Sequence, residues 1–123
     1  EEQTVLLALA PGSRDLAEPE KAIISAETKY LKLQVSLEKQ EKSLSYRVAL
    51  KTADNENREI WKSEGLGLQK DRTDNFIVIY VPADLFREVK VQDYMYVLTV
   101  EALGRRRKSY EETGSYYFQV AVK

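Results

Sequence analysis

Hydrophobic and polar residues alternate with a period of two along most of this chain. The alternation is regular in Tyr30–Glu38 and again in Ser45–Lys51. Because successive side chains of a β-strand point to opposite faces, each segment is predicted to be a strand with one buried face. The positions predicted to face inward are Leu31, Leu33, Val35, Leu37, Tyr46, Val48 and Leu50.

Turn-forming residues separate these segments from further strands. Asp54–Asn57 predicts a turn, because Asp and Asn bond their own main chain and tolerate left-handed backbone. The run Phe76–Val81, which Pro82 ends, is apolar on both faces and is typical of a strand covered on both sides. Ala83–Phe86 is predicted to form one helical turn between sheets. The remaining strands are predicted at Thr4–Ala10, Ala22–Ser25, Glu59–Lys62, Asp93–Val100 and Ser115–Val122, with a kinked passage at Gly65–Leu68.

The pattern as a whole predicts an all-β fold of seven or eight strands, without a long amphipathic helix or an internal repeat. Strands spaced about 8–12 residues apart with turns between them are typical of an antiparallel β-sandwich of the immunoglobulin or fibronectin type III kind. A closed barrel is the alternative. An edge strand at Ala22–Ser25 would support dimerisation by strand addition.

The composition narrows the chemistry open to this chain. Its 123 residues, 43% hydrophobic and 32% charged, suit one folded domain spanning residues 1–123. The chain has no His and no Cys, which excludes imidazole acid–base catalysis, cysteine nucleophiles, disulfides and metal sites built from these ligands. We therefore expect a non-catalytic protein without a metal or cofactor.

The net charge of the chain indicates which partners are unsuited to it, and the start of the chain indicates where a membrane anchor would lie. The 19 basic and 20 acidic residues give a net charge of −1, which provides no overall field to attract nucleic acid or an anionic membrane. No apolar run reaches the ~20 residues of a membrane helix, and no signal-peptide pattern is present. The chain begins with Glu1 and its only methionine is Met95, so we expect a fragment of a longer parent chain. A membrane anchor would then lie in a segment preceding Glu1.

One basic run stands out in the predicted loop 104–114, directly before a tyrosine. A phosphate-binding loop with an aromatic ring for base stacking is one interpretation. Glu111 and Glu112 follow closely, however, and charges at a hairpin tip usually point into solvent. Contact with an acidic protein partner is the favoured functional interpretation. The candidate partner-binding residues here are Arg105, Arg106, Arg107, Lys108 and Tyr110.

Eight tyrosines and one tryptophan are more than a domain of this size needs for its core. Trp61 is predicted to be a core anchor, while Tyr110 and Tyr117 are the candidates for exposed aromatic side chains. Together with Trp61 they would form a stacking platform for a sugar. The tyrosines predicted to face inward are Tyr46, Tyr94, Tyr96 and Tyr116, with Tyr94 placed to bond the main chain as in a tyrosine corner.

Acidic clusters offer weaker candidates. The groups at 54–57 and 71–75 contain oxygen ligands suited to calcium, but neither has the spacing of a dedicated calcium loop. Glu111 and Glu112 are a carboxylate pair, but adjacent loop residues give no reason to expect a cleft. Ordinary turn chemistry explains these residues without a metal or a reaction.

One further set of segments covers most of the chain and lies in strand and turn positions. The segments are Val5–Gly12 with Arg14, Ser45–Ala53, Glu59–Trp61, Gly65–Leu66, Val81–Phe86, Asp93–Val100 and Tyr116–Val120. Together they resemble the C-terminal immunoglobulin-like domain of certain bacterial membrane-anchored proteins of the anti-sigma, zinc-finger type. The resemblance implies an extracytoplasmic or periplasmic β-sandwich, anchored through a membrane helix upstream, and it implies no catalytic, metal or cofactor residue in this chain.

The sequence thus supports three hypotheses about function. The favoured one is a non-catalytic interaction or sensory module that binds a protein partner, and no nucleic acid, through a sheet face or the loop 104–114. The alternative is a carbohydrate-binding module that uses exposed Tyr and Trp side chains. A purely structural spacer is the third.

Overall fold

Two β-sheets packed face to face form the architecture of this protein. The computed structural model describes residues 3–10, 20–37, 43–54, 56–71, 74–88, 94–104 and 109–123. Within these ranges there are nine strands and one short helix. They are β1 (Thr4–Leu9), β2 (Glu20–Ile24), β3 (Tyr30–Ser36), β4 (Ser43–Thr52), β5 (Glu59–Leu66), β6 (Gln69–Asp71), β7 (Asp74–Pro82), α1 (Asp84–Arg87), β8 (Tyr94–Gly104) and β9 (Tyr110–Val122).

The strand order confirms the predicted all-β sandwich and corrects one part of it. One sheet has four strands in the order β1-β3-β7-β6, and the other has five in the order β2-β9-β8-β4-β5. The prediction of a wholly antiparallel arrangement was wrong, because β1 runs parallel to β3 and β2 runs parallel to β9. Both parallel strands lie at sheet edges. The two-residue period fixes which face of a strand is buried and carries no information about the direction of its neighbour.

The core lies between the sheets, where the alternation predicts it. Alternate residues of β3, of the middle of β4, of β8 and of the C-terminal half of β9 belong to one cluster of buried side chains. Three of the four tyrosines predicted to face inward are buried, namely Tyr46, Tyr96 and Tyr116. The Tyr116 hydroxyl donates a hydrogen bond to the carbonyl oxygen of Ser36 across the sandwich, at 2.8 Å. The aromatic side chain therefore joins the two sheets by packing and by a hydrogen bond.

The strand β7 corrects a second expectation. Ile77, Ile79 and Val81 are buried as predicted, whereas Tyr80 on the other face is exposed and Val78 is half-buried. Among the described residues, no element covers this outer face, so the run apolar on both sides is not a strand covered on both sides. An apolar run alone does not distinguish the two cases.

Two of the connections between the sheets follow from local sequence. The strand β5 ends at Leu66, directly after Gly65, whose φ of 68° lies in the left-handed region that glycine adopts without steric cost. Between β7 and β8 the helix α1 places Phe86 in the core, edge-on against Tyr96. Next to it, Nη2 of Arg87 donates to the carbonyl oxygens of Ser25 and Thr28, each at 2.6 Å. The predicted helical turn is confirmed by α1, and the left-handed backbone of Gly65 agrees with the predicted kink.

Candidate functional site

The predicted partner-binding residues divide into two groups in the structure. Arg105, Arg106, Arg107 and Lys108 connect β8 to β9 in the sequence and lie outside the described residues. Tyr110 and Tyr117 both lie on β9, and both side chains are half-buried. The candidate site is therefore formed by side chains of β9, β8 and β4.

A β-bulge places Tyr110 and Tyr117 on the same face of the five-stranded sheet. They are an odd number of residues apart, so a regular strand would direct them to opposite faces. The register shifts between Val100 and Glu101, leaving Thr113 as the extra residue on β9. The Thr113 hydroxyl donates to the Val100 carbonyl oxygen at 3.2 Å. Because a bulge changes the alternation by one residue, both tyrosines point outward.

The guanidinium of Arg47 stacks on the ring of Tyr110. The Cζ atom of Arg47, on β4, lies 4.1 Å from the ring centre of Tyr110. The Arg47 Nε atom donates to Oε1 of Glu101, on β8, at 2.6 Å. The hydroxyls of Ser45 and Tyr110 are 3.3 Å apart, within hydrogen-bond distance. These four residues, Ser45, Arg47, Glu101 and Tyr110, are called the Arg47 cluster below.

The electrostatics of the Arg47 cluster hold the guanidinium in place. The hydrogen bond to Glu101 is the main cause that raises the pKa of Arg47 above its ordinary value. Charge on one side and a ring face on the other fix the orientation of the side chain. Arg47 and Glu101 nevertheless stay partly open to solvent, with 39% and 32% of their side-chain surfaces exposed. The Arg47 guanidinium is thus an ordered cation that is accessible to a partner.

An open surface cavity of about 220 Å³ lies beside the Arg47 cluster. Its lining contains two cationic side chains and three carboxylates, contributed by three adjacent strands. A lining of mixed sign has no net field suited to a polyanion, and it complements a surface that carries charges of both signs. The lining residues are Arg47, Val48, Ala49, Glu59, Lys62, Glu64 and Glu101.

Sequence reasoning did not find Arg47 or Glu101. Both occupy polar positions of alternating strands, which usually face solvent without a specific role. They are 54 positions apart in the chain, and only the pairing of β4 with β8 brings them opposite each other. The opposite charges of Arg47 and Glu101 indicate an ion pair only when the pairing of β4 with β8 is known.

Trp61 lies on the other side of the five-stranded sheet from Tyr110 and Tyr117. It pairs with Leu50 and packs, half-buried, against the core. Tyr117 faces outward opposite Val97, a buried residue outside the core cluster. The three rings proposed for sugar stacking therefore do not form one flat platform.

Tyr94 and Asp54 form a structural turn. The tyrosine-corner expectation was wrong, because the Tyr94 hydroxyl donates to the Asp54 carboxylate instead of the main chain. Asp54 also accepts from the Thr52 hydroxyl and from the backbone N–H groups of Glu56 and Asn57. The bond from Tyr94 is the largest of the causes that lower the pKa of Asp54 to about 2, and the same bond raises the pKa of Tyr94.

The other acidic candidates show no assembled site in the described part of the chain. No group of three or more His, Cys, Asp or Glu side chains there is placed to hold a metal ion. Glu111 and Glu112 are exposed. In the same residues, no helix has the length and apolar character needed to cross a membrane.

The outer face of the four-stranded sheet presents an apolar surface that the sequence analysis did not single out. Leu6, Tyr30 and Tyr80 are 58%, 46% and 51% exposed. The rings of Tyr30 and Tyr80 meet edge to face, with 6.4 Å between their centres. The Nζ atom of Lys32 lies 5.7 Å from the centre of the Tyr80 ring. This surface is separate from the Arg47 cluster, which lies on the other sheet.

Comparisons with known proteins give no family. No known protein family and no curated protein sequence matches the chain. Among solved structures, it is similar to the cysteine protease inhibitor EhICP2 from Entamoeba histolytica, with 12% identity over 98% of this chain and 97% of that chain and a TM-score of 0.44. It is also similar to the N-terminal domain of phage TP901-1 ORF48, with 12% identity over 98% of each chain and a TM-score of 0.47. Likenesses this remote carry no statement about what the chain binds.

Proposed function

We propose that this chain is a non-catalytic protein-interaction module whose binding surface is the Arg47 cluster with its adjoining cavity. The observation that carries the proposal is the stacking of Arg47 on Tyr110, with Glu101 holding the guanidinium from the side. Arg and Tyr are among the residue types that contribute most to binding energy at protein interfaces.

The placement of the cluster favours binding. Its side chains lie on β4, β8 and β9, which are central strands of the five-stranded sheet. An arginine already held in one orientation loses less conformational freedom on binding than a mobile surface arginine does. Strands also position side chains more accurately than loops. The surface is therefore organised before a partner arrives.

The charges favour a protein over nucleic acid as the partner. The cavity offers Arg47 and Lys62 beside Glu59, Glu64 and Glu101. A polyanion would meet more carboxylates than cations, whereas a peptide segment with both charge signs would find partners for each. The basic run at 105–108 joins the ends of β8 and β9 in the sequence and would add positive charge for an acidic partner.

Selection from a random peptide library displayed on phage, against the immobilised 123-residue chain, tests this proposal. The Kd values of selected synthetic peptides are then measured by calorimetry. We expect Arg47→Ala and Tyr110→Ala each to weaken binding at least ~10-fold, the loss typical of a hot-spot residue. Lys32→Ala is the matched control, because it removes a cation that lies over Tyr80 on the other sheet. Its binding should equal that of the wild type.

Two results would contradict the proposal. One is a set of selected peptides whose Kd values do not change on substitution of Arg47 or Tyr110. The other is the absence of any selected peptide together with binding to a glycan array that Tyr117→Ala abolishes, which would favour the carbohydrate-binding alternative. The double substitution Arg106→Glu and Arg107→Glu tests the basic run separately. Equal binding by this variant would exclude the run from the site while leaving the Arg47 cluster in place.

We also propose an extracytoplasmic or periplasmic location, as the outer domain of a membrane-anchored bacterial regulator or envelope protein. The sequence resemblance to such domains supports this, and the absence of His and Cys supports a binding role over a catalytic one. The gene sequence upstream of the Glu1 codon tests the location. A stretch of ~20 apolar codons is expected there, and a reading frame without an apolar segment would contradict the proposal.

A further inference from the structure

The four edge strands of this sandwich are protected to very different degrees. An edge strand presents unpaired backbone groups, and proteins usually guard it with charges, bulges or a short length. The strand β2 carries Glu20 and Lys21, the strand β6 has three residues, and β5 is charged and irregular in register. By contrast β1, Thr-Val-Leu-Leu-Ala-Leu, has no charge, no proline and no bulge. Among the described edge strands, β1 alone has none of these protective features.

The backbone N–H and C=O groups of β1 point alternately toward β3 and toward the open edge. The Gln3 carbonyl oxygen, just before the strand, accepts from the N–H group of Tyr30 on β3. Backbone groups of successive residues point to opposite sides of a strand, so Val5, Leu7 and Leu9 also face β3. The N–H and C=O groups of Thr4, Leu6 and Ala8 therefore face the open edge, where no described strand pairs with them.

We propose that the open edge of β1 pairs with β1 of a second copy of this chain, antiparallel and centred on Leu6. In this register Leu6 faces Leu6 of the other copy, and Thr4 faces Ala8. All three are residues whose backbone groups point to the edge, so each such pair exchanges two hydrogen bonds. Any shift by one residue would set edge-facing groups against groups already used by β3.

The side chains favour a second copy over a different partner. Because β1 has no charged residue, it makes no like-charge pair with itself in any register. The exposed Leu6 side chains would cover each other on the outer face. Lys32 lies opposite Leu6, one strand inward, so the lysines of the two copies would be about 14 Å apart, which exceeds the screening length at physiological salt. The resulting eight-stranded sheet would leave the Arg47 clusters uncovered on the other sheets.

Analytical ultracentrifugation of the 123-residue chain tests this proposal. We expect a monomer–dimer equilibrium between about 10 µM and 1 mM, because a paired edge buries less area than a standard interface. Leu6→Lys would place two ammonium groups on residues about 5.5 Å apart across the pair, and it should raise the dissociation constant at least ~10-fold. Ile23→Lys on β2 is the matched control, since Ile23 is 50% exposed on another edge strand. It should dimerise like the wild type.

A second measurement needs no variant. Amide hydrogen exchange at Thr4, Leu6 and Ala8 should slow as the concentration rises, while the amides of Val5 and Leu7, which face β3, should exchange at a constant rate. A wild type that is monomeric at ~1 mM would overturn the proposal. So would dimerisation that Leu6→Lys leaves intact or that Ile23→Lys abolishes equally, and so would exchange at Thr4, Leu6 and Ala8 that is independent of concentration.

Discussion

Truncation of Phe86 to alanine is expected to be among the most damaging single substitutions in this fold. Phe86 is only 1% exposed, and its ring meets that of Tyr96 edge to face, with 5.0 Å between the centres and 84° between the planes. It belongs to α1, the helix that carries the chain from the four-stranded to the five-stranded sheet. Loss of the ring therefore removes core packing at the point where the sheets are connected.

The magnitude follows from burial and ring geometry. A buried Phe→Ala substitution costs about 3–5 kcal/mol, which includes the transfer of the ring to water and the cavity left behind. The edge-to-face pair accounts for about 0.5–1.5 kcal/mol beyond burial, which places Phe86 in the upper part of that range. For a domain of this size we expect the melting temperature to fall by about 10–20 °C.

Urea unfolding followed by the fluorescence of Trp61, the only tryptophan, measures the effect. The matched control is Phe76→Ala on β7, because Phe76 is half-buried and the same atoms are removed. Its expected cost is about 1–2 kcal/mol. A loss below about 1.5 kcal/mol for Phe86→Ala, or equal losses at both positions, would refute the assignment of Phe86 as a core anchor between the sheets.

Two further predictions concern Asp54 and Gly65. The hydrogen bonds that lower the pKa of Asp54 to about 2, from 3.8, stabilise the fold while the carboxylate is ionised, and this stabilisation is lost as the pH falls through that interval. Asp54→Asn should therefore reduce the loss of unfolding free energy between about pH 4 and pH 2 in urea titrations, and an unchanged acid dependence would contradict this. Gly65→Ala should cost about 1–2 kcal/mol because the residue has a φ of 68°. Gly67→Ala should be neutral, because Gly67 has no positive φ and no atom lies within 4 Å of the position that an alanine Cβ would occupy. Equal urea midpoints for the two glycine variants would exclude backbone strain at Gly65.

Alternation predicted the strands well because it reflects burial on one face. The segment predicted at Thr4–Ala10 became β1 (Thr4–Leu9), and Phe76–Val81 became the middle of β7 (Asp74–Pro82). The same signal does not encode direction, so the parallel pairing of β1 with β3 was missed. It also does not distinguish a strand buried on both faces from one with an apolar exposed face, which is why Tyr80 was misplaced.

The candidate site was predicted in part. Tyr110 and Tyr117 were selected as exposed aromatic residues, and the structure places both on one outer face. That they share a face depends on the extra residue Thr113, which propensity and period do not reveal. The cation that stacks on Tyr110 belongs to Arg47, which is distant from Tyr110 in the sequence. Contacts between distant strands depend on register, and a single sequence does not specify register across a sandwich.

The pairing of β2 with β9 has a consequence for synthesis of the protein on the ribosome. Glu20 lies opposite Phe118, and Ile24 lies opposite Val122, so an early segment pairs with a very late one. At translation rates of about 5–20 residues per second, β2 waits roughly 5–20 s for its partner. During that time the apolar residues Ala22 and Ile24, which are buried in the finished fold, have no strand to hold them. We therefore expect chaperones to bind this segment of the nascent chain until residues 118–122 emerge.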